Sequence, residues 1–283
     1  MELKSEIPVG IVLYNPEIKR LKENLDAIYE FAAEIILIDN ASCNCYEINL
    51  LISAYDKIVF IQNKKNIGIA RALNQICRQA LNDDFSYVLT LDQDTVCPEN
   101  IFDKYQEYMS SSVGILCPKI KDRNYDSNLK FKDDTSEIRS CITSGSLVLL
   151  SAWHNVNGFD ENMFIDNVDI DFCYRIQKKG YKIVCLNTVS ILHEIGHIQM
   201  RKFLLWNVRI KNHNAFRKYY IARNTIYLAR KCNSISLILK SYLQIVKQYI
   251  CVLFYENKKK EKIKAISKGL IDGNKMEIDI RWS

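Results

Sequence analysis

No Cys-x-x-Cys pair occurs in the 283 residues, and the ten cysteines are scattered from Cys43 to Cys251 with only Cys43 and Cys45 close together. The four histidines form no cluster beside them. This excludes a zinc-finger arrangement and a regular disulfide frame, and leaves reduced, mostly buried thiols of a cytosolic protein as the expectation. The start, MELKSEIPVGIVLYN, lacks an apolar run of signal-peptide length ahead of Asn15 and Pro16, so the chain is expected to stay in the cytoplasm. A recognisable nucleic-acid reading motif is also missing, so no nucleic-acid partner is expected.

What is present is the composition of a globular chain, 48% hydrophobic and 25% charged, which rules out a collagen, a coiled coil or a disordered tail. The length suits one large domain, or one domain with an appendage. The net charge of +6 hides an asymmetry. From Gln199 onward there are 19 basic residues against 5 acidic, +14, whereas the rest carries 20 against 28, −8. An acidic body with a basic tail points to an anionic partner for the tail, with a solvated basic face as the alternative.

Apolar β-type runs at Val9–Leu13, Ile35–Ile38, Ile58–Ile61 and Tyr87–Leu91 alternate with amphipathic stretches such as GIARALNQICRQAL. That βαβαβαβ order predicts a mainly parallel sheet with helices on both faces, in which ligands bind beyond the carboxyl ends of the strands. Those ends carry Tyr14-Asn15-Pro16, Asp39-Asn40-Ala41-Ser42, Asn63 with Asn66 and Gly68, and Asp92-Gln93-Asp94. Residues 121–138 are polar, charged and aperiodic, and read as an irregular insertion. Further elements are expected as a strand over Ser146–Leu150, a helix from Val168 to Lys179, and a strand over Lys182–Leu186 leading to His193. Phe216–Arg230 reads as a basic helix. The run SISLILKSYLQIVKQYICVLFY carries a polar stripe that argues against a simple membrane span. An interfacial helix and a docked core helix both satisfy that pattern.

The chemistry-bearing candidates follow from residue type. Asp92 and Asp94 can offer hard oxygen ligands to Mg²⁺ or Mn²⁺ against a diphosphate, although Asp-x-Asp also arises in turns. Asp39 can accept hydrogen bonds from a base or ribose, or simply shape its turn. His193 can complete a metal or phosphate site, or be structural. Among Asp160, Glu161, Asp166, Asp169 and Asp171, one carboxylate can act as a general base, while Asp169 and Asp171 also suit the first turn of a helix.

Together these residues resemble the glycosyltransferase family 2 enzymes of GT-A fold, and within them the bacterial rhamnosyltransferases of O-antigen and capsule synthesis. The segments that carry the resemblance, in the family's order, are IVLYNP, IILIDNAS, NKKNIGIARALNQ, LTLDQD, ITSGSLV, NGFDENMFIDNVDIDFCYR, H-E-I-G, YYIARN and KGLIDG. The resemblance implies a Rossmann-like GT-A catalytic domain over residues 1–200, with nucleotide-sugar and metal binding in 1–120 and the acceptor and base part in 140–200. It leaves a basic helical region over 201–283. By position it implies that Asn15, Asp39, Asn66, Gly68 and Asp92 contact the donor nucleotide, that Asp94, with Asp92 and His193, holds a Mg²⁺ or Mn²⁺ ion, and that Arg223 and Asn224 lie by a diphosphate. Asp169 stands at the position of the general base, preceded by Val168 where the wider family has Glu, which leaves Asp166 or Asp171 as alternates.

The implied activity is inverting, metal-dependent transfer of L-rhamnose from dTDP-rhamnose to a lipid-linked glycan at the cytoplasmic face of the inner membrane. A UDP-hexose or UDP-N-acetylhexosamine donor is the alternative, and a catalytically inactive nucleotide-sugar-binding homologue the more distant one. Oligomerisation stays open. A sugar-phosphate nucleotidyltransferase would need a Gly-rich basic loop after the first strand, where this chain has Tyr14-Asn15-Pro16-Glu17.

Overall fold

The computed structural model describes residues 7–122, 133–193, 199–203, 206–210 and 212–282. The chain divides into two compact units, one of residues 1–161 with 169–194 and one of 162–168 with 195–283.

The first unit is built on β1 (Val9–Leu13), α1 (Ile18–Ile28), β2 (Ile35–Asp39), α2 (Cys45–Ile52), β3 (Ile58–Gln62), α3 (Ile69–Asn82) and β4 (Tyr87–Asp92). It continues with α4 (Ile101–Tyr108), β5 (Val113–Asp122), β6 (Thr135–Glu137), β7 (Ser146–Leu149), α5 (Leu150–Asn155), α6 (Val168–Lys178) and β8 (Lys182–His193). The sheet order is β3-β2-β1-β4-β7-β5-β8-β6. β1 to β4 pair in parallel, β7 runs antiparallel to both β4 and β5, and β5 and β8 are again parallel.

Alternation along β1 explains why helices cover both faces. Val9, Ile11 and Leu13 are buried in one cluster with Leu21, Leu25 and Ile28 of α1 and Ile101, Phe102 and Tyr105 of α4. Gly10 points the other way, and a Cβ there would run into Ile76 of α3. Only glycine lets α3 lie this close to the strand. Burying these side chains contributes roughly 1.5 to 3 kcal/mol each.

The four early strands fall where the apolar runs predict them. Residues 121–138 depart from the expected irregular insertion at both edges, because β5 extends through Asp122 and Thr135–Glu137 pair with β8 as Thr135↔Leu186 to Glu137↔Val184. Tertiary pairing with β8 imposes the strand state on a three-residue segment that has no apolar pattern of its own. The centre of that segment, 123–132, lies outside the described residues.

The second unit holds the hairpin β9 (Gln199–Phe203) and β10 (Trp206–Ile210), then α7 (Ala215–Lys231), α8 (Ile235–Tyr255) and α9 (Lys259–Lys275). α7 starts on Asn214, whose side chain accepts the Arg217 N–H and caps the first turn. Ala222 and Ile226 of α7, Ile245 and Val252 of α8, and Ile266 of α9 form its apolar centre. The turn between α8 and α9 is fixed by the buried Glu256, which accepts hydrogen bonds from Lys218 (2.6 Å) and Lys262 (2.9 Å), while Lys262 also donates to Asn212.

α7 and α9 meet backbone to backbone through Gly269 and Gly273. A Cβ at Gly269 would strike the Tyr219 carbonyl oxygen and approach Ala222, and one at Gly273 would strike the Arg223 carbonyl oxygen. The KGLIDG segment is thus a pair of small residues one turn apart that lets two helices touch. Gly273→Ala is expected to force them apart, at a cost of about 1 to 3 kcal/mol of overpacking that outweighs alanine's better helix propensity. Thermal denaturation checks this, and a melting temperature equal to or above that of the parent would refute it.

Candidate functional site

The register brings the carboxyl ends of four strands into line. Leu13 pairs with Asp39, Asp39 with Gln62, and Val12 with Asp92, so the polar residues after β1 to β4 emerge on one rim.

Their loops interlock. Asn15 donates its backbone N–H to Ser42 Oγ (2.8 Å), and its side-chain oxygen accepts the Cys43 N–H (2.7 Å). The Asp39 carboxylate is fully buried and accepts the Ser42 N–H (3.1 and 3.3 Å). Asn40 donates to Asn66 Oδ1 and accepts from the Ile67 N–H (3.0 and 2.9 Å), and Asn66 Oδ1 also accepts the Gly68 N–H (2.9 Å). Gly68, at φ 88°, opens α3. Asn15 and Ala41 both adopt left-handed backbone, φ 49° and 67°. Such strain in a non-glycine residue costs on the order of 1 kcal/mol and gathers at functional sites.

At the end of β4, the Asp92 N–H donates to Ser144 Oγ (3.0 Å), and its carbonyl accepts from Asn24 of α1 (2.8 Å). Ser144 is hydrogen-bonded in turn to Thr95 (2.7 Å). Gln93 ties back to Tyr14 by accepting its N–H at 2.9 Å. The Asp-Gln-Asp turn is thereby fixed on both sides, with Asp92 and Asp94 half-buried.

Among the described residues no three His, Cys, Asp or Glu side chains gather as a complete metal cage. A Mg²⁺ ion does not need one, since it commonly takes one or two carboxylates and completes its shell with water and substrate phosphate oxygens. Hard oxygen donors on a fixed turn at a strand end fit that mode. The third expected ligand, His193, is the last residue of β8, in register with Asp122; its side chain, and the rest of H-E-I-G, lie outside the described residues.

The acidic stretch resolves into three different environments. Asp171 is fully buried and ion-paired to Arg175 at 2.7 Å, four residues on along α6. Arg175 also donates to the carbonyls of Val156 and Gly158 (2.6 and 2.7 Å), so this pair ties α6 to the GFDE loop. Asp166, φ 66°, receives the Arg217 guanidinium at 3.1 Å. Asp169 is half-buried in the first turn of α6 and lines a narrow, mostly apolar cleft with room for about one water, beside Thr90, Thr143, Ser146, Phe159 and Cys173. Of the three, Asp169 is the one that lines this cleft, while Asp171 and Asp166 are held by Arg175 and Arg217.

The sulfur side of that cleft is quiet. Cys141 and Cys173 lie 3.8 Å apart, and the contact with Cys141 together with burial pushes the Cys173 thiol far above its ordinary range. A thiol held protonated is no nucleophile.

One positioning residue, Asn74, carried no sequence signal beyond polarity, and the expected pair Arg223 and Asn224 holds a loop. Asn74 of α3 is buried and saturated: it donates to Phe159 O and Glu161 Oε1 and accepts from Trp153 Nε1 and Phe159 N–H (2.8 to 3.0 Å). In the second unit, Asn224 is fully buried and donates to the carbonyls of Ile165 and Asp166 (2.8 and 3.0 Å), while Arg223 donates to Asn162 O (2.7 Å) and stacks on Tyr220. The Arg-Asn pair of YYIARN thus holds the 162–167 loop.

Comparison with known proteins gives the family and the fold. The profile of Glycosyl transferase family 2 matches residues 9–175. The chain is similar to the dTDP-rhamnosyl transferase RfbF of Shigella flexneri, 26% identical over 95% of this chain and 94% of that protein. It is also similar to the low-salt glycan biosynthesis hexosyltransferase Agl10 of Haloferax volcanii, 23% identical over 77% and 76% of the two chains. In structure it resembles residues 1–349 of S. aureus TarS, with a TM-score of 0.64 and 14% identity over 94% of this chain and 80% of that one. GalNAc-T7, solved with UDP, GalNAc and Mn²⁺, aligns with a TM-score of 0.58 and 12% identity over 81% of this chain and 48% of that one.

Proposed function

Because the chain belongs to glycosyl transferase family 2, we propose that the sugar it transfers is L-rhamnose, taken from dTDP-rhamnose and placed with inversion on a glycan borne by a lipid diphosphate at the cytoplasmic face of the inner membrane. The observation that carries the donor is the similarity to a dTDP-rhamnosyl transferase along 95% of this chain.

In this reading the interlocked rim of Asn15, Asp39, Asn66 and Gly68 receives the nucleoside. Asp39 accepts hydrogen bonds from the base or ribose. Asp92 lies by the ribose and phosphates, and Asp94, with Asp92 and His193, would hold Mg²⁺ or Mn²⁺. The ion, when bound, stabilises negative charge developing on the leaving diphosphate. Asp169 takes the proton from the acceptor hydroxyl as its oxygen attacks the anomeric carbon from the face opposite the leaving group. Arg223 offers its guanidinium to a diphosphate, and Asn224 acts by holding the loop that precedes Asp169. Asp171, committed to Arg175, serves the scaffold.

A donor panel tests the proposal: purified protein with Mg²⁺ or Mn²⁺ and dTDP-rhamnose, UDP-galactose, UDP-glucose, UDP-GlcNAc or GDP-mannose, read as nucleotide release and as thermal shift. Release and stabilisation with dTDP-rhamnose alone are expected. A response confined to a UDP-sugar would replace the rhamnose reading. That second reading is favoured by the hexosyltransferase relative and by the UDP-GlcNAc complex of the structural neighbour TarS.

A further inference from the structure

The least expected surface of the molecule is the outer side of α8. Its inner side, at Ser241, Ile245 and Val252, is buried against the partners α7 and α9. The opposite side, at helical spacing, exposes Ile235 (80%), Leu239 (61%), Leu243 (68%), Val246 (53%), Leu253 (47%) and Phe254 (63%). A continuous apolar stripe on a helix of 21 residues exceeds the scattered exposed side chains that any soluble protein tolerates. Lys240 and Lys247, two helical turns apart and both exposed, run along one border of the stripe. No acidic residue occurs from Ile235 to Tyr255. Beyond the helix, Lys258, Lys259 and Lys260 are exposed as well, with Glu261 as the only exposed acidic neighbour in that run.

We propose that this outer side of α8 lies flat in the interface of an anionic lipid bilayer, with the apolar stripe among the upper acyl chains and the lysines at the headgroup phosphates. The proposal deepens the membrane-acceptor reading above, on which it rests for its biological setting, by naming the surface that meets the lipid. By length and composition α8 could cross a bilayer. One of its sides is committed to α7 and α9, and two lysines sit mid-helix, so it lies along the interface rather than through it. Charge decides against a second copy of the chain as the occupant. A two-fold contact would set the stripe against itself; with the helices antiparallel it brings the lysine borders together, and with them parallel it leaves each border facing no carboxylate of α8. Anionic phosphates pair with the same lysines.

The test is co-sedimentation of the full chain with phosphatidylcholine vesicles with and without phosphatidylglycerol, in the absence of any glycan acceptor. The parent is expected to bind the anionic vesicles and to be released by salt. The exposed-face variant Leu239→Gln/Leu243→Gln/Val246→Gln is expected to lose binding tenfold or more, with its melting temperature and donor hydrolysis unchanged. Lys240→Gln/Lys247→Gln is expected to lose roughly thirtyfold of the affinity for anionic vesicles. Unchanged binding by the triple variant, or indifference of the parent to phosphatidylglycerol, overturns the proposal. So does a parent dimer in solution that the triple variant dissolves, which would make a second copy the occupant. If vesicle binding is absent yet sugar is still transferred to a lipid-linked acceptor, the α8 surface falls and the acceptor reading stands; vesicle binding without such transfer leaves the surface and removes the acceptor.

Discussion

Asp169→Asn is expected to lower kcat for sugar transfer by about 10² to 10⁴, the range for loss of a general base, while leaving the KM for the donor within a few-fold. The amide keeps the shape of the side chain and removes only the ability to take a proton. Since Asp169 is half-buried at the edge of a cleft, the melting temperature should hold. The same change at Asp171 should behave in the opposite way. Its partner Arg175 would keep a buried charge with no counter-charge, a situation that costs about 3 to 5 kcal/mol, so lost stability rather than a clean kcat effect is expected. Asp166→Asn breaks a pair in which Arg217 is 45% exposed, and should cost at most about 1 kcal/mol. Measuring kcat, KM and thermal denaturation for the three variants side by side separates base from scaffold. If Asp169→Asn retains parental kcat, the assignment of the base is wrong.

Asp94→Ala carries the second large effect. With one hard oxygen donor gone from the fixed turn after β4, transfer is expected to fall about a thousandfold, the scale reached when a group stabilising transition-state charge is deleted. The loss should be partly recovered by raising the Mn²⁺ concentration, because a weakened site fills by mass action. The backbone of the turn is held through Asp92, Ser144, Gln93 and Tyr14, so thermal denaturation of the variant is measured beside its activity to separate metal loss from loss of fold. Titration of activity against Mg²⁺ and Mn²⁺ for parent and variant is the measurement. Identical metal-response curves would remove Asp94 from the metal site.

Much of the catalytic scaffold was readable because its signals are local. β1 to β4 are short apolar runs that end in polar residues, and a parallel sheet buried on both faces needs just that pattern. β5 escaped because Gly114 and Pro118 interrupt it and Lys119 and Lys121 give its end the look of a loop. β6 escaped because its state is set by β8 and not by its own residues. The asparagines at positions 15, 40 and 66 read as turn formers and Asn74 as a helix residue; that Asn15, Asn40 and Asn74 satisfy backbone groups of distant segments depends on the sheet having first brought those segments together. Two further signals were available locally. Asp171 and Arg175 stand four apart on a helix, the spacing of an ion pair, which marks Asp171 as engaged. Gly269 and Gly273 stand four apart on α9, the spacing of a close helix contact. The polar stripe of α8 was legible, but which side of that helix would face outward was not, since the packing of α7 and α9 decides it.

The contact of Gly269 and Gly273 with α7 has a consequence for the order in which the chain acquires its shape during synthesis. α7 carries Arg223 and Asn224, and the helix that seats it begins only at Lys259. Until α9 has followed it out of the ribosome α7 lacks the helix it packs on most closely, and the 162–167 loop hangs from a helix not yet seated. The sheet-based unit, whose last strand ends at His193, can close well before that point. A nascent chain can therefore complete the rim at the ends of β1 to β4 while the helix that holds the loop before Asp169 still lacks its partner, and that loop gains its full support only when α9 docks.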